Sequence, residues 1–249
     1  MKALVTGASS GIGRDIARVL INKGYDIIAV ARDEVKLNKL KSELGSKVEI
    51  IAVDLENPEA CKELYKTVKN KDINILVNNA GFGEFGEFTT TNLDKELNMI
   101  NTNITAVHIL TKLFLQDMIK KDKGYILNVA SIAGFMPGPL MATYYSTKAY
   151  ILRLSQSIYT ELKKRKSNVS ISVLCPGPVA TNFNKVAGVK FNLKSMSSEY
   201  VAKYAVNKML KRKLIILPGI KIKIARILAK ISPEKLVARV CYHMQEKKK

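Results

Sequence analysis

Two rhythms of apolar positions alternate along this chain. Short, nearly continuous runs occupy Lys2–Thr6, Ile27–Ala31, Lys47–Val53, Ile73–Val77, Tyr125–Ala130, Val169–Leu174 and Lys213–Leu217, and each predicts a strand. Ile73–Val77 is apolar except for Asn74, as expected of a sheet covered on both faces. Between the runs, helical spacing takes over at Arg14–Lys23, Glu34–Leu44, Pro58–Lys69, about Asp94–Ile119, Tyr144–Lys166 and Glu199–Leu210. In the first of these helical stretches Ile12, Ile16, Val19 and Leu20 share one face. Strand and helix in regular alternation imply an α/β protein with a doubly wound sheet. The expectation is a single Rossmann-type domain over residues 1–217 with a seven-stranded parallel sheet.

The pattern breaks in three places. Asn101-Thr102-Asn103 puts three polar residues inside a largely apolar helix, which is costly unless they are used, so a site is expected there. Ser131 to Met141 holds two glycines and two prolines and predicts a loop. Residues 218–249 form a C-terminal amphipathic helical extension. Ile220, Ile224, Ile227, Leu228 and Ile231 share a face opposed by Lys223, Arg226 and Lys230, and Ser232-Pro233 then starts a second helix. In that helix Leu236, Val240 and Met244 oppose Lys235, Arg239 and an exposed His243. Such faces bury themselves on their own protein or on a partner subunit, or lie in an anionic membrane surface through 220–245.

Charge sharpens the last point. The net charge is +20, and Lys203–Lys249 carries 14 Lys and Arg against 2 Asp and Glu, so most of the excess lies in the tail. A basic tail suits an anionic surface, or it reflects lysine used for solubility. No recognition motif or aromatic stacking pattern accompanies the charge, so no nucleic acid is expected. No apolar run is long enough to span a membrane, and the start MKALVTG lacks the pattern of a secretory signal. Cys61, Cys175 and Cys241 are few and scattered, which predicts reduced thiols in the cytoplasm and no metal site.

The chemistry lies at strand ends. Gly7-Ala8-Ser9-Ser10-Gly11-Ile12-Gly13 links the first strand to the first helix, the arrangement in which bare backbone and orphan N–H groups receive a phosphate. The second strand ends at Ala31-Arg32, where an NAD site usually has an acid on the adenosine 2′-hydroxyl. A guanidinium there favours the 2′-phosphate of NADP. Tyr144 and Lys148 stand four apart, on one helix face, and the loop from Ser131 returns a hydroxyl towards them. An ammonium beside a phenol favours phenolate and eases its proton towards a carbonyl oxygen. The neighbouring Tyr145 has Ala149 four residues on and lacks this partner.

These motifs together resemble the short-chain dehydrogenase/reductase family: T-G-A-S-S-G-I-G at Thr6–Gly13, N-N-A-G at Asn78–Gly81, Asn103, Ser131, Y-Y-S-T-K at Tyr144–Lys148 and P-G-P-V-A-T at Pro176–Thr181. The resemblance covers about the first 182 residues, in the family's order. It implies Tyr144 as general acid/base, Lys148 lowering its pKa and holding the nicotinamide ribose, and Ser131 on the substrate oxygen. It implies Asn103 as anchor of a proton relay. Gly7, Gly11 and Gly13 would cradle the pyrophosphate, with Ser9, Ser10 and Ile12 also contacting the cofactor. Asp54 and Asn79 would lie near adenine and its ribose, Pro176, Gly177 and Thr181 would cap the nicotinamide, and Ala80, Gly81 and Val179 would also contact the cofactor. The activity implied is NADP(H)-dependent interconversion of a carbonyl and an alcohol on an apolar small molecule, in a homodimer or homotetramer. The tail departs from the family, which puts the tetramer in question. The alternative is a peripheral membrane or scaffold protein with a regulatory NADP site. Phe183, Val186, Val189 and Phe191 are candidates for an apolar pocket or its lid.

Overall fold

The computed structural model describes residues 1–188 and 195–246. Seven parallel strands form one sheet: β1 (Lys2–Thr6), β2 (Asp26–Ala31), β3 (Val48–Ala52), β4 (Ile73–Asn78), β5 (Gly124–Val129), β6 (Val169–Leu174) and, at one edge, β9 (Ile215–Ile216). Their order is β3-β2-β1-β4-β5-β6-β9, so the winding reverses between β1 and β4. In such sheets a crevice opens beyond the strand C-termini at the reversal. The predicted seventh strand, Lys213–Leu217, shrinks to two residues because only Ile215 and Ile216 find partners, Val173 and Leu174. A separate parallel ribbon of β7 (Val179–Ala180) and β8 (Met196–Ser197) was not expected.

The two-residue period of the strands sorts the core. Ala3, Val5, Ile27, Ala29, Ile75 and Val77 face one layer, which contains α1 (Gly11–Ile21), α2 (Glu34–Leu44) and α8 (Ser198–Leu210). Leu4, Ile28, Leu76 and Ile126 face the other, beneath α3 (Pro58–Val68), α5 (Val107–Lys120) and the later turns of α6 (Ala142–Lys164). Ile16 and Leu20 of α1 are buried, as their spacing predicted. Asn78 of β4 and Asn128 of β5 are also buried, and their amide nitrogens are paired, although Asn78 Oδ1 accepts no hydrogen bond. The Asn78 amide donates to Thr111 Oγ1 and Asn128 Oδ1, and the Asn128 amide donates to Ser155 Oγ.

Two predicted irregularities have a definite form. The segment from Leu93 to Lys120 is helical throughout, as α4 (Leu93–Ile100), a π-helical stretch Asn101–Ala106, and α5. The loop predicted from Ser131 begins instead with a 3₁₀ turn, Ile132–Phe135, because the Ser131 hydroxyl accepts from Ala133 N and caps it. Short α7 (Phe183–Ala187) follows β7.

The tail forms α9 (Ile220–Ile231) and α10 (Glu234–Glu246), but among the described residues its apolar face stays exposed. Ile220, Ile224, Ile227, Leu228, Ile231, Leu236, Val240 and Met244 all face outward. The other side of each helix makes the contacts. Ile222 covers Gly177, where a Cβ would meet Ile222 Cδ1 at 2.3 Å, and the Arg226 guanidinium lies 5.0 Å from the centre of the Phe135 ring. Cys241 and Gln245 are the buried residues of α10, and Gln245 Nε2 donates to Tyr145 Oη at 2.5 Å. Among the described residues no helix is long and apolar enough to cross a membrane.

Candidate active site at the reversal of the sheet

The turn after β1 is built for close approach. Gly7 holds a left-handed conformation, φ +63°, which an L side chain rarely adopts. A Cβ on Gly13 would fall 2.4 Å from both Asn79 Nδ2 and Gly7 O. Asn79 closes the turn from β4: its amide donates to Thr6 O at 3.0 Å and Gly7 O at 3.2 Å. Thr6 reciprocates by accepting from Asn79 N and Ala80 N through its hydroxyl. Thr6 and Asn79 together form the clasp of the glycine turn. Helix α1 then starts at Gly11, earlier than predicted, with extended Ser10 as N-cap, no side-chain cap and no acid in its first turn. Its free N–H groups and dipole suit an anion. Thr181 lies over this turn, since a Cβ on Gly11 would meet Thr181 Cγ2 at 2.9 Å.

At the end of β2, Arg32 is exposed and ion-paired with Glu56, with Asp54 Oδ1 at 3.9 Å. Asp54 also accepts from Glu56 N at 3.0 Å. Glu56 was not singled out from the sequence, because its proximity to Arg32 arises only when β3 pairs with β2. The acid therefore stands beside the guanidinium that would grip a 2′-phosphate.

Across the reversal, β5 and α6 carry the reacting groups. Lys148 is buried, donates from Nζ to Val129 O at 3.1 Å, and lies 5.7 Å from the centre of the Tyr144 ring. Burial lowers its pKa to about 8, against a small opposing effect of Cys175. Burial also dominates at Tyr144 and pushes the phenol up to about 12, although its hydrogen bond with Ser131 pulls the other way. Tyr144 is therefore a protonated phenol at neutral pH, with Ser131 as the group that eases its proton.

Asn103 sits in the π-helical stretch, a distortion that recurs at functional sites. Its Oδ1 accepts from Phe82 N at 3.1 Å, and its Nδ2 donates to Phe82 O at 2.9 Å and to Thr147 Oγ1 at 3.1 Å. Thr147 in turn donates to Tyr144 O at 2.7 Å. A Cβ on Gly81 would lie 2.7 Å from Asn103 Oδ1 and 3.4 Å from Lys148 Nζ, so these two side chains converge on one point. Thr147 was missed because hydroxyls are common in helices and only its partners set it apart.

The wall beside Tyr144 is apolar. Met141 and Ala187 are buried there, with Phe85, Tyr145 and Phe183 packed against them. The Phe183 ring is 5.2 Å from that of Tyr144. Val186 instead faces solvent, and Val189 and Phe191 lie outside the described residues. Ile132 N donates to Pro176 O at 2.9 Å, tying the Pro176–Gly177 turn to the segment that follows Ser131. Val179 is held in the small ribbon opposite Met196.

Comparison with known proteins agrees with this geometry. The family model described as short chain dehydrogenase matches residues 1–190. A 3-oxoacyl-acyl-carrier-protein reductase of Haemophilus influenzae is 33% identical over 186 residues, covering 74% of this chain and 76% of that protein. A very-long-chain 3-oxoacyl-CoA reductase of Danio rerio is 37% identical over 192 residues, 74% of this chain and 60% of that longer protein. A solved short-chain dehydrogenase of Sphingobium yanoikuyae in complex with NADPH superposes with a TM-score of 0.82 at 29% identity, covering 94% of this chain and 96% of the other.

Proposed function

The chain belongs to the short-chain dehydrogenase family and is an NAD(P)-dependent oxidoreductase, and we propose that it uses NADP(H) to interconvert a carbonyl and an alcohol on an apolar substrate. The observation that carries this reading is the convergence of Ser131, Tyr144, Lys148 and Asn103 beside an uncapped helix N-terminus. A regulatory nucleotide site would not require that set.

The glycine turn fits a dinucleotide: Gly7 and Gly13 leave no room for side chains, and α1 offers its N–H groups to the pyrophosphate. Ser9, Ser10 and Ile12 line the same turn. Ala80 and Gly81 would contact the bound cofactor, Asp54 would lie near its adenine end, and Pro176, Gly177, Val179 and Thr181 would lie towards its nicotinamide. Arg32 favours NADP, and the Sphingobium relative holding NADPH supports this choice. A bound nicotinamide would supply hydride to the carbonyl carbon. Ser131 donates a hydrogen bond to the substrate oxygen and stabilises its growing charge. Tyr144, a protonated phenol, gives its proton to that oxygen, and the alcohol results. Lys148 would hold the ribose of a bound cofactor, and its ammonium, 5.7 Å from the centre of the Tyr144 ring, is the proton source beside the phenol. The turn around Asn103 passes the relay on towards solvent.

The apolar wall of Met141, Phe85 and Phe183 suits an aliphatic chain. Both curated relatives named above are 3-oxoacyl reductases, so 3-oxoacyl thioesters come first among substrates. A homodimer or homotetramer in the cytoplasm follows the family's usual assembly. NADPH oxidation against ketones, aldehydes and 3-oxoacyl thioesters tests the reading. Turnover on the acyl substrates supports it; tight NADPH binding without turnover on any carbonyl would overturn it.

A further inference from the structure

Among the described residues the outward face of the tail helices stays exposed, and it is the more apolar face of both. Ile220 and Ile231, at the two ends of α9, are 74% and 72% exposed, and Ile224, Ile227 and Leu228 continue the stripe between them. Leu236, Val240 and Met244 extend it along α10. Lys221, Lys223, Lys230, Lys235 and Arg239 stand exposed on the same two helices. Residues 220–249 hold nine Lys and Arg against two Asp and Glu.

We propose that α9 and α10 lie in the headgroup region of an anionic lipid surface, with the isoleucine stripe in the acyl boundary and the lysines on lipid phosphates. An exposed apolar stripe with basic flanks on helices too short and too charged to span is the signature of an in-plane interfacial element. A second copy of this chain is the weaker occupant, because an isologous contact would bring two faces of the same positive charge together. The opposite side of the same helices touches the site. Ile222 packs on Gly177 in the turn after β6, and Gln245 holds Tyr145, the neighbour of Tyr144. Docking would therefore set the substrate wall close to the lipid, where an acyl chain resides. That last step rests on the function proposed above; the docking does not.

The test is co-sedimentation of the full chain with phosphatidylcholine vesicles, with and without phosphatidylglycerol. One variant, Ile227→Glu with Leu228→Glu, removes the apolar contact, and a second, Lys221→Gln with Lys223→Gln and Lys230→Gln, removes charge. The wild type is expected to bind anionic vesicles at least about tenfold more tightly than neutral ones, and each variant to lose about tenfold or more. NADPH turnover on a water-soluble ketone should be unchanged in both, since the altered side chains face outward. No binding to anionic vesicles, or binding that survives Ile227→Glu with Leu228→Glu, would overturn the proposal. So would a wild-type dimer that this variant splits and that ignores vesicles, which would make the face a self-interface. Loss of turnover alone would count against the reaction and leave the vesicle result standing.

Discussion

Lys148 Nζ lies 5.7 Å from the centre of the Tyr144 ring, one helical turn along α6, and is pinned to the carbonyl of Val129 at the end of β5. The lysine is buried, and among the described residues no carboxylate pairs with it. Its charge is therefore costly to the fold and is kept where a proton relay can use it.

That cost has a sign. The Lys148 pKa falls from 10.5 to about 8 on folding, so between those values the unfolded chain binds more protons. Stability should rise with pH across that window, and the penalty is fully present below it. Lys148→Met is therefore expected to be more stable than wild type near neutral pH, by ~1–3 kcal/mol, while losing activity. Urea unfolding at neutral pH and above the unfolded pKa checks this; the gap should close at the higher pH. Reduction by the wild type should also decline as pH rises through about 8.

Arg32 is held by Glu56, so on the proposed reading the two residues would set cofactor choice together. Arg32→Ala should weaken NADPH about 10- to 100-fold, as expected for a lost charge-assisted bond, and leave NADH nearly unchanged. Glu56→Gln should shift preference further towards NADPH by freeing the guanidinium. Titration of both nucleotides reads these ratios. An unchanged ratio in Arg32→Ala would remove the NADP assignment.

Gly13 has no space for one more carbon. Gly13→Ala would press a methyl into Asn79 and the Gly7 carbonyl, opening the clasp made with Thr6. Overpacking typically costs ~1–3 kcal/mol. Thermal unfolding should show that loss, and NADPH affinity should fall with it. Near-normal affinity would mean the turn does not hold the pyrophosphate.

Tyr145 tests which phenol reacts. It has no lysine one turn on, and its hydroxyl is held by Gln245. Tyr145→Phe should cost about 0.5–1.5 kcal/mol of stability for that hydrogen bond and change turnover little.

Local pattern revealed most of this architecture. Helix α2 and strand β6 fall on the residues that their apolar spacing marks, because each satisfies its own hydrogen bonds and buries a regular face. The motifs at Gly7–Gly13, Ser131 and Tyr144–Lys148 were legible because the chemistry needs those residue types at those positions. What escaped depends on meetings between distant elements. Asn78, Thr111, Asn128 and Ser155 form one buried network from four elements, and nothing in any single segment marks it. Glu56 meets Arg32 only through strand pairing. The tail's helices were legible too, but not their rotation: contacts of Ile222, Arg226 and Gln245 turned the stronger apolar face outward.

The most direct measurement is the single-turnover rate of Tyr144→Phe alongside its NADPH affinity. The variant should lose at least about 10²–10⁴-fold in carbonyl reduction while binding NADPH with near wild-type affinity, because only the acid/base hydroxyl is removed. Retained turnover would contradict the assignment of Tyr144 as proton donor, and with it the relay through Lys148 and Asn103.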